Sequence, residues 1–298
     1  MSALGEPAIQ ITSSHSSCNL SESSPMSKTA SRHLLARDAP DARDYIYSPE
    51  PKHLRKPLPL RVDLRRRCPP VQDQGRLFTC TAHAVAAAFH YEQRMQQMRT
   101  IIPSRLFIYY NERAIAHERR LRHSVTLRNA LKAAAKAGVC PESLWRYNVA
   151  PRQYIKKPPQ RAFEAAAKHK IDRYYRIPNE PMKRVVFLRH LKRCLADKYP
   201  FVFGFRVHPS FEKPPTGKWK EGIMPIPGKK VDKATGGHAV MAVGYDDRKK
   251  AVLVRNSWGP DWGVKGHFWM PYSLISDPGF AHDFWTIRGV TGKKPGRE

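Results

Sequence analysis

The order of secondary-structure signals along the chain constrains its fold more than any other feature. Up to about residue 199 the clearest segments are Ala-rich or carry apolar residues at helical spacing, and 79–98 is the strongest example. After residue 199, short β-branched and aromatic runs such as 200–207 and 237–247 alternate with Gly, Pro and Asp turns. Helices followed by antiparallel strands predict an α+β protein with two packed lobes. A junction between lobes is a common place for a cleft.

Three helices are predicted in the first half of the chain. The segment 79–98 contains no Pro or Gly and places Cys80 in the first helical turn. Ser104 is a favourable N-cap for a second helix. A third helix over 126–137 is expected to end at Gly138, because glycine favours the position that follows a helix.

The composition divides the chain into segments. The N-terminal part is Ser-rich and has too few aromatic and β-branched residues to bury a core, so it is expected to be disordered. A Pro-rich linker leads into one folded domain over 58–290. The predicted segments are 1–45, the disordered extension; 46–57, the linker; 58–199, a mainly helical lobe; 200–290, a mainly β lobe; and 291–298, a basic tail.

The charge balance is strongly basic. The 298 residues include 53 Lys and Arg against 25 Asp and Glu, which gives a formal net charge of +28. The excess lies in the folded part, and it suits nucleic acid, an anionic membrane or an acidic substrate. The basic runs are short and scattered, and no stacking module or zinc finger accompanies them. Specific nucleic-acid binding is therefore the less favoured interpretation.

The sequence also limits the cellular location. No stretch approaches the length of about 18 apolar residues that a membrane-spanning helix needs. Glu6 lies near the N-terminus, and no apolar run follows a basic cluster, so a secretory signal peptide is not expected. These features predict a cytoplasmic protein, with non-classical export left open. They do not predict an oligomeric state.

The cysteines form neither a zinc pattern nor a dense disulfide pattern. Their number is odd and no two have CxxC spacing, so one of them is a candidate for reactivity. No metal or organic cofactor is expected. The cysteines are Cys18, Cys68, Cys80, Cys140 and Cys194.

Four residues can combine into a site for nucleophilic catalysis. A helix N-terminus and an adjacent imidazolium lower the pKa of a thiol; Cys80 has the first, and His238 can supply the second. Asn256 can accept the other ring N–H of His238 and so hold one tautomer. Gln74 and the Cys80 N–H can donate to an oxyanion. Taken singly, each residue is more often a buried small side chain or a turn former.

The ordered combination resembles the papain-like (C1) cysteine peptidases, in particular their bacterial branch without a long pro-region. Residues 256–268 follow the family pattern NSWGxxWGxxGxF at every fixed position. Residues 237–245 resemble the strand that carries the family's histidine, and Gln74 precedes Cys80 as in the family. The resemblance extends from residue 58 to about residue 290.

The resemblance implies a two-lobed papain-like fold with a helical lobe, a β-barrel-like lobe and a cleft between them. It also implies hydrolysis of peptide or amide bonds through a thioester intermediate. The implied roles are Cys80 as nucleophile, His238 as general base and then acid, Asn256 as orienting residue and Gln74 as oxyanion donor. The neighbouring residues expected to bind substrate are Phe78, Thr79, Gly237, Ala239 and Trp258.

The sequence departs from the family pattern just before the nucleophile. Phe78 stands where relatives usually have Gly, and Leu77 stands where many have a disulfide-forming Cys. If the backbone at Phe78 requires a positive φ, the substitution strains the loop. An alternative function is therefore a catalytically weakened papain-fold binding protein, with basic nucleic-acid binding the less favoured one.

Overall fold

The computed structural model describes residues 35–116, 125–150, 153–179, 182–212, 220–228 and 233–294. Eight α-helices lie within these ranges. They are α1 (Pro51–Leu54), α2 (Cys80–Met95), α3 (Arg105–Ile115), α4 (Leu127–Lys136), α5 (Gln160–Ala166), α6 (Arg184–Ala196), α7 (Pro209–Glu212) and α8 (Tyr272–Ile275).

The described strands form one antiparallel sheet. They are β1 (Arg61–Asp63), β2 (Ile171–Ile177), β3 (Phe201–Val207), β4 (Gly236–Asp246), β5 (Ala251–Arg255), β6 (His267–Pro271) and β7 (Ala281–Val290). Their order in the sheet is β2-β7-β3-β4-β5-β6, and β1 pairs with β4. The long strand β4 therefore lies in the interior of the sheet, and all but its first residue are buried.

Helix α2 lies between the sheet and the other helices. It packs against α3 and α4 on one side and against β4 and β7 on the other. Its residues from Cys80 to Gln93 are all buried. Alanine side chains are small, so they allow the neighbouring elements to pack closely around a helix that is enclosed on all sides. The predicted helix and the place of Cys80 in its first turn are confirmed.

Local capping signals define the next two helices, as predicted. The Ser104 side chain accepts a hydrogen bond from the N–H of Phe107 at the start of α3. Residue Thr126 caps α4 in the same way, and Gly138 follows that helix with φ of +82°. A Cβ atom at Gly138 would lie 1.9 Å from the carbonyl oxygen of Ala166, so only glycine fits there.

Two elements differ from the predicted organisation. Strand β2 lies within the part expected to be mainly helical, where it pairs with β7 at one edge of the sheet. Only its terminal residues Ile171 and Ile177 are buried. The sequence of β2 therefore needs no apolar alternation, and it lacks the pattern that would predict a strand. The short helix α1 interrupts the segment 46–57 that was expected to be a linker.

Residues 35–45, expected to belong to a disordered extension, pack on the domain. Asp38 is buried, and its carboxylate accepts hydrogen bonds from Trp285 Nε1 at 2.8 Å and from the Arg128 N–H at 3.1 Å. The Arg128 guanidinium contacts both oxygens of Asp44, at 3.0 and 2.6 Å. These charge-assisted bonds order a segment that has little apolar surface. Residues 1–34 and 295–298 lie outside the described part of the chain.

Candidate active site

Cys80 is the first residue of α2, and its side chain is 4% exposed. The backbone N–H of Ala239 lies close enough to the sulfur to favour its thiolate form, as do the N–H groups of Thr81 and Cys80. Ala239 follows His238 on β4. The contact between Cys80 and Ala239 therefore brings the start of α2 against the strand that carries His238.

The surroundings of Cys80 oppose the ionisation of an isolated thiol. Burial raises the pKa of the Cys80 thiol to about 12, and the nearby carboxyl of Glu112 raises that pKa further. The nearby backbone N–H groups act in the opposite direction and lower the pKa. Because a lone buried thiolate is unfavourable, its formation near neutral pH requires an adjacent group that takes the proton.

The His238 ring is oriented by Asn256, the residue directly after β5. The Nε2 atom of His238 lies 2.8 Å from Oδ1 of Asn256. An amide oxygen only accepts hydrogen bonds, so Nε2 carries the proton and Nδ1 is the basic nitrogen of the neutral ring. The same Oδ1 accepts the N–H of Ser257 at 2.8 Å, which fixes the orientation of the amide.

Aromatic rings surround this hydrogen bond. The Trp258 ring lies 5.1 Å from the His238 ring between centroids, at 33°, and the Phe205 ring lies 5.8 Å away with its edge toward His238. Trp262 in turn contacts Trp258, with centroids 5.1 Å apart. Exclusion of water strengthens the bond between His238 and Asn256.

Gln74 is buried and is anchored by Ser257 and Leu77. Its N–H donates to the Ser257 carbonyl at 2.8 Å, and its Oε1 accepts the Ser257 hydroxyl at 2.6 Å. Its Nε2 donates to the carbonyl of Leu77 at 2.9 Å. These bonds settle the orientation of the amide, with the NH₂ group directed toward the loop that precedes Cys80.

Tyr147 joins this site, although no pattern in the sequence predicts it. Its hydroxyl donates to the carbonyl of Gln74 at 2.9 Å and lies 2.6 Å from Thr79 Oγ1. Tyr147 is far from both residues in the sequence and belongs to no motif that singles it out. Only the tertiary structure brings it to the loop.

The five residues expected to bind substrate occupy different environments. Phe78 and Trp258 are partly exposed, whereas Gly237 and Ala239 are buried. Thr79 has no exposed surface, and its hydroxyl contacts Tyr147. The Thr79 side chain therefore faces the interior. The assignment of these five residues to substrate binding stays a prediction.

Two other features of the cleft concern Phe78 and Leu35. Phe78 is not among the described residues with a positive φ. The Phe that stands in place of Gly therefore causes no strain from a left-handed backbone conformation. The N–H of Leu35 donates to the carbonyl of Gly237 at 3.3 Å. The N-terminal segment thus covers the residue before His238, which explains why Gly237 is buried.

His83 supports Thr79, the residue before Cys80, from one turn further along α2. Its Nδ1 lies 2.9 Å from the carbonyl of Thr79 and carries the proton, because a carbonyl only accepts. Burial lowers the pKa of His83 to about 3, and the nearby positive charge of Arg105 contributes. His83 is therefore neutral at physiological pH.

Three further observations concern metal-binding groups, cysteine pairing and membrane-spanning helices in the described part of the chain. Within them, no group of three or more His, Cys, Asp or Glu side chains could hold a metal ion. The four described cysteines, including Cys80, are free thiols. No helix in the described ranges is long and apolar enough to cross a membrane.

Comparison with known proteins identifies the family. The family model described as papain family cysteine protease matches residues 58–282. The chain belongs to this family. An uncharacterized peptidase C1-like protein of Acanthamoeba polyphaga mimivirus is 41% identical over 221 residues, which cover 74% of this chain and 70% of that protein.

Solved papain-family structures are similar over most of the chain. Xylellain, a cysteine protease from Xylella fastidiosa, has a TM-score of 0.76 and 38% identity, covering 89% of this chain and 99% of that one. The proCathepsin B S9 structure from Trypanosoma congolense has a TM-score of 0.65 at 16% identity, over 88% of each chain, and supports the fold alone. The predicted family, papain-like α+β fold and enzyme class are thus confirmed. The papain-family protein is a cysteine peptidase that acts on peptide or protein substrates.

Proposed function

We propose that Cys80, His238 and Asn256 form the catalytic triad of this peptidase. The observation that carries the proposal is the 2.8 Å bond from His238 Nε2 to Asn256 Oδ1, on a strand whose next residue contacts the Cys80 sulfur. This bond leaves Nδ1 as the ring nitrogen that can take the thiol proton. Proton transfer removes the main obstacle to ionisation, because the thiolate then forms beside an imidazolium.

The oxyanion donors are the Cys80 N–H and the Gln74 amide. An uncapped helix N-terminus presents N–H groups with a partial positive charge. The Gln74 NH₂ has two hydrogens, and its bond to the Leu77 carbonyl uses one of them. The other hydrogen can meet the negative oxygen that develops on the substrate carbonyl.

The proposed reaction proceeds in two halves. The Cys80 thiol transfers its proton to His238 Nδ1, and the sulfur attacks the peptide carbonyl carbon. His238 then returns the proton to the leaving amine as the C–N bond breaks, which gives a thioester and a free amino terminus. Water, deprotonated by the same ring, attacks the thioester and releases the acid product and the thiol.

A covalent trap tests the assignment. The protein is incubated at neutral pH with a peptidyl vinyl sulfone or a peptidyl epoxide, and the labelled residue is identified by mass spectrometry. We expect one label on Cys80, no label in Cys80→Ala and slower labelling in His238→Ala. Cys194→Ala is the matched control, because Cys194 is also a free buried thiol and lies on α6. Failure to label Cys80 in the native protein would contradict the proposal.

The net positive charge of the protein favours acidic substrates. Acidic peptides are attracted by a strongly positive protein, and salt screens the attraction. A peptide library with acidic and basic members, tested at low and high salt, measures the preference. Equal cleavage of both sets at low salt would contradict it.

We also propose that the protein acts in a reducing compartment, since Cys80 must stay a thiol to react.

A further inference from the structure

The Tyr147 hydroxyl bridges the two ends of the loop 74–79, called here the oxyanion loop. It donates to the carbonyl of Gln74 at 2.9 Å and lies 2.6 Å from Thr79 Oγ1. A phenol has a single hydrogen, and the Gln74 carbonyl can only accept, so the Thr79 hydroxyl donates to Tyr147. One side chain from outside the loop thus fixes the position of both Gln74 and Thr79.

The bond to Tyr147 also leaves the first turn of α2 without a side-chain cap. Thr79 is the N-cap of this helix, and a Thr at that position normally accepts a hydrogen bond from an N–H of the first turn. Thr79 makes no such capping bond. Its hydroxyl is directed to Tyr147 instead.

Tyr147 is itself held firmly by the helical lobe. Its backbone N–H donates to Glu142 Oε1 at 2.6 Å, and Arg105 Nη2 donates to the same oxygen at 2.8 Å. The Arg105 guanidinium lies 5.1 Å from the centre of the Tyr147 ring, and the His83 ring meets that ring edge-on at 5.0 Å. A ring with these neighbours is a fixed support, not a mobile side chain.

We propose that Tyr147 is a positioning residue for acyl transfer, which keeps the oxyanion loop in the geometry that the reaction needs. The inference rests on the proposed roles of Gln74 and the Cys80 N–H as oxyanion donors. Ser257 holds the side chain of Gln74 from one direction, and Tyr147 holds its carbonyl from another. Without the Tyr147 hydroxyl, the Gln74 carbonyl and the Thr79 hydroxyl each lose a hydrogen-bond partner.

The proposal separates two reactions of the same thiol. Attack on a peptide carbonyl needs correctly placed oxyanion donors, and a displacement of about 1 Å can cost about 100-fold in rate. Alkylation by iodoacetamide is a displacement at carbon, which forms no oxyanion. A change confined to the oxyanion loop therefore slows peptide cleavage and leaves alkylation unchanged, whereas damage to Cys80 or His238 slows both.

The test uses Tyr147→Phe, which removes the hydroxyl and keeps the ring, in the full-length protein. Cleavage of a peptidyl-aminomethylcoumarin chosen from a library is compared with the iodoacetamide rate at Cys80 and with the melting temperature. We expect kcat to fall about tenfold, with KM and the alkylation rate changed less than twofold. Tyr91→Phe is the matched control, since its buried hydroxyl also donates to a carbonyl, that of Lys198.

A second variant gives an independent measurement. Thr79→Val keeps the shape of the side chain and removes the hydroxyl, so it should lower kcat in the same way, and the double variant should lose less than the product of the two effects. If Tyr147→Phe matches Tyr91→Phe in kcat, or if alkylation falls in parallel with kcat, the proposal is overturned. Failure of the triad assignment is a different result, because it already shows in the native protein as absence of labelling at Cys80.

Discussion

The Nε2 atom of His238, on β4, and the Oδ1 atom of Asn256, the residue directly after β5, are 2.8 Å apart. Strands β4 and β5 pair side by side, with Met241 opposite Arg255, so the register places the end of β5 near the start of β4. The neutral ring consequently has a single tautomer in this site, with its lone pair on Nδ1. A peptidase that uses this ring as base and acid depends on that tautomer.

Asn256→Ala should therefore lower peptidase activity by disordering His238. We expect kcat/KM to fall about 100-fold, because the ring is then free to rotate and to take the other tautomer. Steady-state cleavage of a fluorogenic peptide measures the loss. Asn129→Ala, on α4, is the control and should retain full activity. Native activity in Asn256→Ala would exclude an orienting role for this residue.

Gln74→Ala should show the contribution of the side-chain oxyanion donor. Loss of one such donor typically costs about 100-fold to 1,000-fold in kcat. The rate of Cys80 alkylation by iodoacetamide should stay close to the native rate, since that reaction forms no oxyanion. Single-turnover acylation and alkylation are measured side by side, with Gln160→Ala as an exposed control on α5. Equal loss in both reactions would mean that Gln74 supports the thiol and not the oxyanion.

The stability of the fold should depend on pH through His83. Burial lowers the pKa of His83 from 6.5 to about 3 in the folded protein. Below pH 6.5 the unfolded chain binds this proton first, so acid favours unfolding, at about 1.4 kcal/mol per pH unit. Stability from His83 is thus present above pH 6.5 and decreases as the pH falls toward 3.

Replacement of this residue tests the effect directly. The free energy of unfolding is compared between the native protein and His83→Gln. Between pH 7 and pH 5 it should fall by about 2 kcal/mol more in the native protein than in His83→Gln. Urea denaturation at the two pH values measures the difference. Buried His267 and Glu92 also titrate, but both proteins contain them, so their contributions cancel. A difference that does not change with pH would show that His83 binds its proton equally well in the folded and unfolded states.

Those features of the site that lie in short, ordered patterns could be predicted from the sequence. The Gly and Trp spacing after Asn256 and the alanine-rich helix after Cys80 are local signals. Caps such as Ser104 act within a single helical turn, so they are predictable for the same reason. The proposed catalytic residues are therefore visible in the sequence once their patterns are combined.

The supports of the site could not be predicted in this way. Tyr147 contacts residues about 70 positions away, and no local pattern encodes such a contact. Strand β2 is exposed at Asp172 and Arg173 and only partly buried over 174–176, because it lies at the edge of the sheet. The ordered residues 35–45 depend on buried carboxylates, and composition alone gives those residues the character of a disordered segment.

Arg128→Met should release this N-terminal segment selectively. Arg128 and Asp44 form a buried ion pair with two hydrogen bonds. Removal of one partner from such a pair costs about 3–5 kcal/mol when the other charge stays buried and unpaired. Arg176 Nη1 also lies 3.4 Å from Asp44, so the cost for Arg128→Met should lie below this range. The cost should appear as faster trypsin cleavage after Arg43, an exposed residue beside Asp44. Lys136→Met, at an exposed position of the same helix, is the control. The double variant Arg128→Met/Asp44→Ala should be cleaved more slowly than Arg128→Met, since it contains no uncompensated carboxylate. The rate of global unfolding of Arg128→Met is compared with the rate of trypsin cleavage after Arg43. If the two rates are equal, the ion pair stabilises the whole domain and not this segment alone.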